Sequence, residues 1–237
     1  MCGIIGFKGV TSAENLSLVR GLLEQSQIRG KHATGVSYIR NKTIKTIKEP
    51  LPAKTFLTMH WHEIQQDLQA EGEISLIGHT RYSTSGLEHN QPHFDEAMAV
   101  AFNGVVTQAD PSRWKELYGF EPKTTNDVEI LHHLMVNAGD PLTQLGTASM
   151  AVVGLKRNGA VIAFRNGSRP MYLAAEDKFV VVASTKQVLQ RTGFNFRKIE
   201  DVGPASVHHL VKENWGYAAT YPKQVPAVRD LQTERFS

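Results

Sequence analysis

Apolar positions change their spacing from segment to segment along the chain, and that change predicts its elements. Ile4, Ile5 and Phe7 form a short apolar run that reads as a buried strand, followed by a turn at Gly9-Val10-Thr11. Ser12 can then cap a helix, because Leu16, Val19, Leu22 and Leu23 recur at helical spacing up to about Gln27. A glycine-bounded loop at 29–35 leads to a hairpin: a strand at 36–40, a turn at Asn41-Lys42 and a strand at 43–48. Pro50 and Pro52 break the chain, and Phe56, Leu57, Ile64 and Leu68 suggest one or two helical turns before Glu71-Gly72. A short strand at 74–77 gives way to a polar loop at 78–86 that continues through 90–93. The apolar run at 97–102 is stopped by Asn103-Gly104. From Thr125 or Asn126 a second helix runs to Asn137, with Val128, Leu131, Leu134 and Met135 on one face and Gly139 closing it.

From Ala148 onward the pattern is strand after strand. Segments 152–156 and 160–165 flank Arg157-Asn158-Gly159, whose Asn-Gly pair is a strong hairpin signal. Segments 172–175 and 179–183 flank Glu176-Asp177-Lys178, then come a short helix at 186–190 and late strands near 207–211. The stretch 222–237 reads as a loosely held tail. With no repeat and no low-complexity linker, the expectation is one domain over 1–237. Hairpins with a few segregated helices predict an α+β fold with antiparallel pairing.

Composition narrows the function classes. Hydrophobic residues make up 41% and charged residues 21%, an ordinary globular balance. One cysteine excludes an intramolecular disulfide framework and points to a reducing compartment. No apolar run approaches the roughly 18 residues that span a bilayer, and no secretory signal opens the chain, so a cytoplasmic protein without membrane contact is expected. Net charge is only +3, and Lys42, Lys45 and Lys48 alternate with Thr and Ile on one strand, which reads as a solvated face rather than a nucleic-acid footprint. Neither glycine-rich phosphate motif occurs. His60-x-His62, His132-His133 and His208-His209 lack the further ligands of a metal site, so no metal and no cofactor are expected.

Cys2 is where chemistry can start. Gly3 is small enough to favour removal of Met1, which would leave a thiol and a free α-amine on one residue. A thiol of ordinary pKa about 8.5 beside an amine of about 7.7–8.0 is a nucleophile with its own base. Asn103 and Gly104 offer a side-chain amide and a backbone N–H, two donors suited to an oxyanion. Arg81 could hold a substrate carboxylate with its planar fork, and Asp127 could receive an ammonium group. Each has a plainer alternative: a packing cysteine, a β-turn, a surface arginine, a helix cap.

Together these stretches resemble the class II glutamine amidotransferase domains of the N-terminal-nucleophile hydrolase superfamily. The similarity rests on Cys2-Gly3-Ile4-Ile5-Gly6, 29–35, Gly78-His79-Thr80-Arg81-Tyr82-Ser83-Thr84, 90–93, Asn103-Gly104, Thr125-Asn126-Asp127-Val128-Glu129 and 165–170, in the family's order. It implies a four-layer αββα sandwich of two antiparallel sheets. It implies Cys2 as nucleophile, Asn103 and Gly104 as oxyanion hole, Arg81 with Thr84 nearby on the glutamine α-carboxylate, and Asp127 on its α-amine. Arg29 would support the nucleophile's surroundings and His93 a loop of the site. The sequence departs from the pattern at His32, where an acidic residue is common, at Tyr82, where Trp is frequent, and at Thr185, where an acid often follows Ala-Ser. The implied activity is hydrolysis of L-glutamine, with ammonia passed to a separate synthetase or transferase, since no acceptor domain follows within the 237 residues. Hydrolysis of a γ-glutamyl conjugate, or a binding module without chemistry, are the competing readings.

Overall fold

A computed structural model describes residues 1–83, 90–137, 141–145, 148–167, 169–204, 206–211 and 215–220. In chain order the elements are β1 (Gly3–Val10), α1 (Ala13–Ser26), β2 (Ala33–Arg40), β3 (Thr43–Glu49), α2 (Ala53–Glu71), β4 (Glu73–Arg81), β5 (His93–Phe94) and β6 (Met98–Val105). A 3₁₀ turn at Pro111–Arg113 enters α3 (Trp114–Tyr118), followed by α4 (Val128–Asn137), α5 (Pro141–Gln144), β7 (Ser149–Lys156) and β8 (Val161–Asn166). The chain continues through β9 (Tyr172–Glu176), β10 (Phe179–Ala183), α6 (Lys186–Gln190), β11 (Glu200–Asp201), β12 (Val207–Leu210) and β13 (Tyr217–Thr220).

Two antiparallel sheets result, ordered β11-β9-β10-β1-β4-β2-β3 and β13-β12-β8-β7-β6-β5. Strand alternation divides the core into three layers. Ile5 and Phe7 of β1, with Ile74 and Leu76 of β4, pack under α1 and α2. Val100 and Phe102 of β6, with Met150 and Val152 of β7, pack under α4. The opposite faces meet between the sheets, where Ile4, Ile77 and Val182 oppose Ala99, Ala101, Ala151 and Val153. The expected α+β sandwich with helices outside is therefore present. At one edge of the middle layer the buried Lys8 ammonium donates to Glu73, to Ser75 Oγ and to the Gly159 carbonyl, tying β1 to the β7–β8 turn of the other sheet.

Several sequence expectations are corrected. The helix at Phe56 is not one or two turns but the 19-residue α2, ended by Gly72 in the left-handed region at φ 71°. Its inward stripe is Phe56, Leu57, Trp61, Ile64 and Leu68; most polar residues between them face water, while Asp67 accepts from Tyr38, Arg40 and Lys45. The strand at 74–77 extends through Arg81, so the supposed loop at 78–81 is strand. Its polar residues are accommodated by burial with partners: the Thr80 hydroxyl donates to the Ser26 carbonyl at 2.7 Å. Asn103 and Gly104 do not stop β6 but lie inside it, paired with Ala151 and Met150. The second helix begins at Val128 rather than Thr125, and the two short helices between Pro111 and Tyr118 and at Pro141 have no counterpart in the sequence pattern. The readings at Gly139 and over 222–237 fall outside the described residues. No described helix is long and apolar enough to cross a membrane.

Candidate functional site

The alternation that builds the middle layer also builds the site. Cys2 shares strand parity with Ile4, Arg81 with Ile77 and His79, and Asn103 with Ala99 and Ala101. All three side chains therefore arise from inward faces at one end of the sandwich. There a cavity of about 370 Å³ is lined by Cys2, Arg81, Asn103, Gly104 and Asp127, with Met1 at its wall. That volume lies in the range of small-molecule sites.

Gly3 permits the approach of the terminus, since a Cβ there would lie 2.5 Å from Thr80 Oγ1 and 2.7 Å from the Ser26 carbonyl. Ser184 holds the next residue from both sides: its N–H donates to the Ile4 carbonyl at 3.0 Å, and its hydroxyl accepts the Ile4 N–H at 3.3 Å. Cys2 N then donates to Asn103 Oδ1 at 3.0 Å. The other end of that amide, Asn103 Nδ2, is buried and has no hydrogen-bond partner among the described residues. The Asn103 amide is thus oriented, its oxygen on the Cys2 nitrogen and its N–H₂ left to donate. An unsatisfied buried donor costs about 1–3 kcal/mol, a cost that a bound acceptor would remove.

Asp127 precedes α4, yet its carboxylate does not merely cap the helix. Its Oδ2 accepts the Val106 N–H at 2.8 Å. Burial raises its pKa from 3.8 to about 6, against the opposing pull of the Val106 and Thr107 N–H groups. The wall around it is built on Glu129, whose buried carboxylate accepts the Lys123 N–H at 2.7 Å and the Thr124 hydroxyl at 2.5 Å. Arg81 ends β4 and donates from Nη1 to Asn90 Oδ1 at 3.2 Å. Arg29 donates to Met1 Sδ at 3.4 Å. Burial lowers its pKa, Cys2 opposes that shift, and Arg169 adds to it.

Of the other candidates, Thr84 lies outside the described residues. His93 is not in the Cys2 cavity. It lines a second one of about 210 Å³ with Asp95, Glu129 and His132, and burial followed by the nearness of His132 lowers its pKa to about 4. No group of three or more His, Cys, Asp or Glu side chains suited to a metal occurs among the described residues. The cavity also gains residues that sequence reasoning passed over: His79, Gln91 and Arg169. Gln91 Oε1 accepts the Phe102 N–H at 2.7 Å, bracing the strand just before Asn103. His79, fully enclosed, is held neutral because burial, and then Arg81, lower its pKa to about 3. Its place two residues before Arg81 in the Gly78-His79-Thr80-Arg81 stretch was the available signal; for Arg169 it was the 165–170 match. Thr185, one of the departures, precedes α6, and its buried hydroxyl has no partner among the described residues.

Comparison with known proteins finds relatives that extend over most of the chain. Residues 79–191 match the family model described as a glutamine amidotransferase domain. The glutamine–fructose-6-phosphate aminotransferase (isomerizing) of Clostridium acetobutylicum is 26% identical over 208 residues, covering 81% of this chain and 33% of that protein. The enzyme of the same name from Sulfurisphaera tokodaii is 26% identical over 193 residues, covering 77% of this chain and 31% of that protein. The chain thus spans about a third of the length of these curated relatives. Among solved structures, the glutamine phosphoribosylpyrophosphate amidotransferase of B. subtilis superposes with a TM-score of 0.71 at 20% identity, covering 94% of this chain and 50% of that one. A glutamine aminotransferase class-II domain protein from Silicibacter pomeroyi gives 0.61 at 13% identity, covering 93% and 98%.

Proposed function

We infer that this chain is a class II glutamine amidotransferase, which hydrolyses the side-chain amide of L-glutamine through Cys2 and passes the ammonia to an acceptor synthetase or transferase. The observation that carries the reading is the divided Asn103 amide, with Oδ1 on the Cys2 nitrogen and a buried Nδ2 that has no partner among the described residues. After loss of Met1 the same nitrogen is an α-amine. It takes the thiol proton, and the sulfur attacks the amide carbon. The resulting oxyanion is received by Asn103 Nδ2 and the Gly104 N–H. The protonated amine then gives its proton to the departing ammonia. Water attacks the γ-glutamyl thioester, the amine serving as base, and glutamate and the thiol are released. Arg29 and Arg169 lend positive potential around the sulfur. Ammonia released into water would be lost to synthesis, so the reading includes an acceptor for it.

Arg81 and Asp127 are assigned to the α-carboxylate and α-ammonium of glutamine. Their charges lie far from the reacting carbon and change little during the reaction, so losing either weakens binding more than turnover. Arg81→Ala and Asp127→Ala are each expected to lower kcat/KM for glutamine by roughly 10–150-fold, chiefly through KM. Steady-state kinetics with glutamine and a γ-glutamyl amide conjugate check this, and an unchanged KM for both variants would remove the assigned pocket. A conjugate preferred over glutamine would instead select the conjugate hydrolase.

The raised pKa of Asp127 gives the reading a pH signature. Only the carboxylate pairs with an ammonium, so kcat/KM is expected to fall as pH drops through about 6, and Asp127→Asn should lack that limb. Stability runs the other way. Between 3.8 and about 6 the folded chain keeps a proton that the unfolded chain has released, so this group's contribution to stability declines as pH rises through that window. At neutral pH the buried carboxylate costs up to about 3 kcal/mol. Asp127→Asn is therefore expected to denature later than the parent at pH 7 while binding glutamine worse. Denaturant titration at pH 5 and pH 7 measures the difference.

A further inference from the structure

Two of the positions where the sequence departs from its family's pattern meet at the mouth of the cavity. The His32 and Tyr82 rings lie 5.2 Å apart, centroid to centroid, at an interplanar angle of 33°. His32 Nδ1 accepts the Ser83 N–H at 2.8 Å. Its own backbone N–H donates to the Arg81 carbonyl at 3.0 Å. The two segments can lie this close because residue 30 is glycine: a Cβ there would come within 2.2 Å of Arg81 C and 2.4 Å of Tyr82 N.

The peptide unit joining Tyr82 to Ser83 has two ends. Its N–H is taken by His32, and its carbonyl oxygen lies 4.0 Å from Cys2 Sγ, in reach of the thiol proton. In a trans peptide these groups point in opposite directions, so whatever fixes the N–H also aims the carbonyl. We propose that His32 is a positioning residue of the reaction: by gripping the Ser83 N–H it turns the Tyr82 carbonyl onto the Cys2 thiol and steadies the end of β4 that carries Arg81. The inference rests on the reading of Cys2 as nucleophile. Because a backbone N–H is the donor, Nδ1 carries no proton and the ring hydrogen sits on Nε2. The carbonyl accepts the thiol proton at rest and opposes the thiolate once the proton leaves, directing the sulfur toward substrate.

Two variants separate the grip from the ring. His32→Phe keeps a ring against Tyr82 and loses the acceptor. His32→Asn loses the ring and keeps an acceptor oxygen near the place of Nδ1. With His32→Phe, kcat/KM for glutamine is expected to fall about 2–10-fold, the effect of one modest hydrogen bond. Alkylation of Cys2 by iodoacetamide should rise over a similar range, because the sulfur no longer shares its proton with the Tyr82 carbonyl. His32→Asn should track the parent in both assays. Ring ¹⁵N spectra of the parent at neutral pH should show His32 unprotonated at Nδ1. The proposal is overturned if His32→Phe matches the parent in alkylation, if His32→Asn is as altered as His32→Phe, or if Nδ1 carries the proton. A parent chain that hydrolyses no glutamine would refute the glutaminase reading instead, and the alkylation contrast would still decide the role of His32.

Discussion

Asn103→Ala is expected to lower kcat for glutamine hydrolysis by about 10²–10³-fold, with KM changed by less than about threefold. On the proposed mechanism the charge that Asn103 Nδ2 meets exists only once the sulfur has attacked, so its contribution belongs to the transition state. In the resting protein the same N–H₂ is buried without a partner among the described residues, and truncation removes an unsatisfied group. The variant should thus fold at least as well as its parent apart from the lost Oδ1 contact to the Cys2 nitrogen. Asn103→Asp isolates the two ends of the amide, since it keeps an acceptor for the nitrogen and puts a negative charge where the oxyanion forms. It should be the slower of the two. Ammonia release at saturating glutamine is the measurement, and a normal kcat with raised KM would place Asn103 in substrate binding.

Cys2→Ala should lose more, on the order of 10⁴–10⁶-fold, because the proposed nucleophile and its base sit on one residue. The chain has no other cysteine, so a diazo-ketone analogue of glutamine should add once per parent chain and not at all to Cys2→Ala. Intact mass should show the active form without Met1. The reason is chemical: while Met1 remains, the Cys2 nitrogen is an amide and cannot act as a base. Active enzyme that retains Met1, or labelling that survives Cys2→Ala, would move the chemistry elsewhere.

Much of this fold can be read from local spacing, because α1, the β2–β3 hairpin and the β7–β8 hairpin each declare themselves within a short window. The misreadings share a cause. Polar residues at Gly78-His79-Thr80-Arg81 looked like a loop, yet they are strand positions whose burial is settled by distant partners such as the Ser26 carbonyl. The shortened α2 reflects the same bias, since most of its polar residues are the solvent face of a long helix. At the site, Cys2, Arg81, Asn103, Gly104 and Asp127 were each nameable from residue type and family pattern, and they line one cavity. The contacts that orient them were not nameable. Cys2 and Asn103 are 101 residues apart, and His32 and Ser83 are 51 apart. His93 shows the converse, a residue inside a matching stretch whose side chain serves another cavity.

The lysine stripe of β3 also bears on how the molecule coexists with its own copies. β3 is the outermost strand of the seven-stranded sheet, where unpaired backbone groups could template an incoming strand. Lys45 is drawn back to Glu63 at 2.7 Å and Asp67 at 2.6 Å, and Lys48 reaches the Asn90 carbonyl at 2.9 Å. An approaching strand would have to lie along charges already anchored on either side of that margin. At the opposite margin β11 spans only Glu200–Asp201, too short to seed a ladder. Both margins of this sheet therefore discourage edge-to-edge stacking of one copy on another.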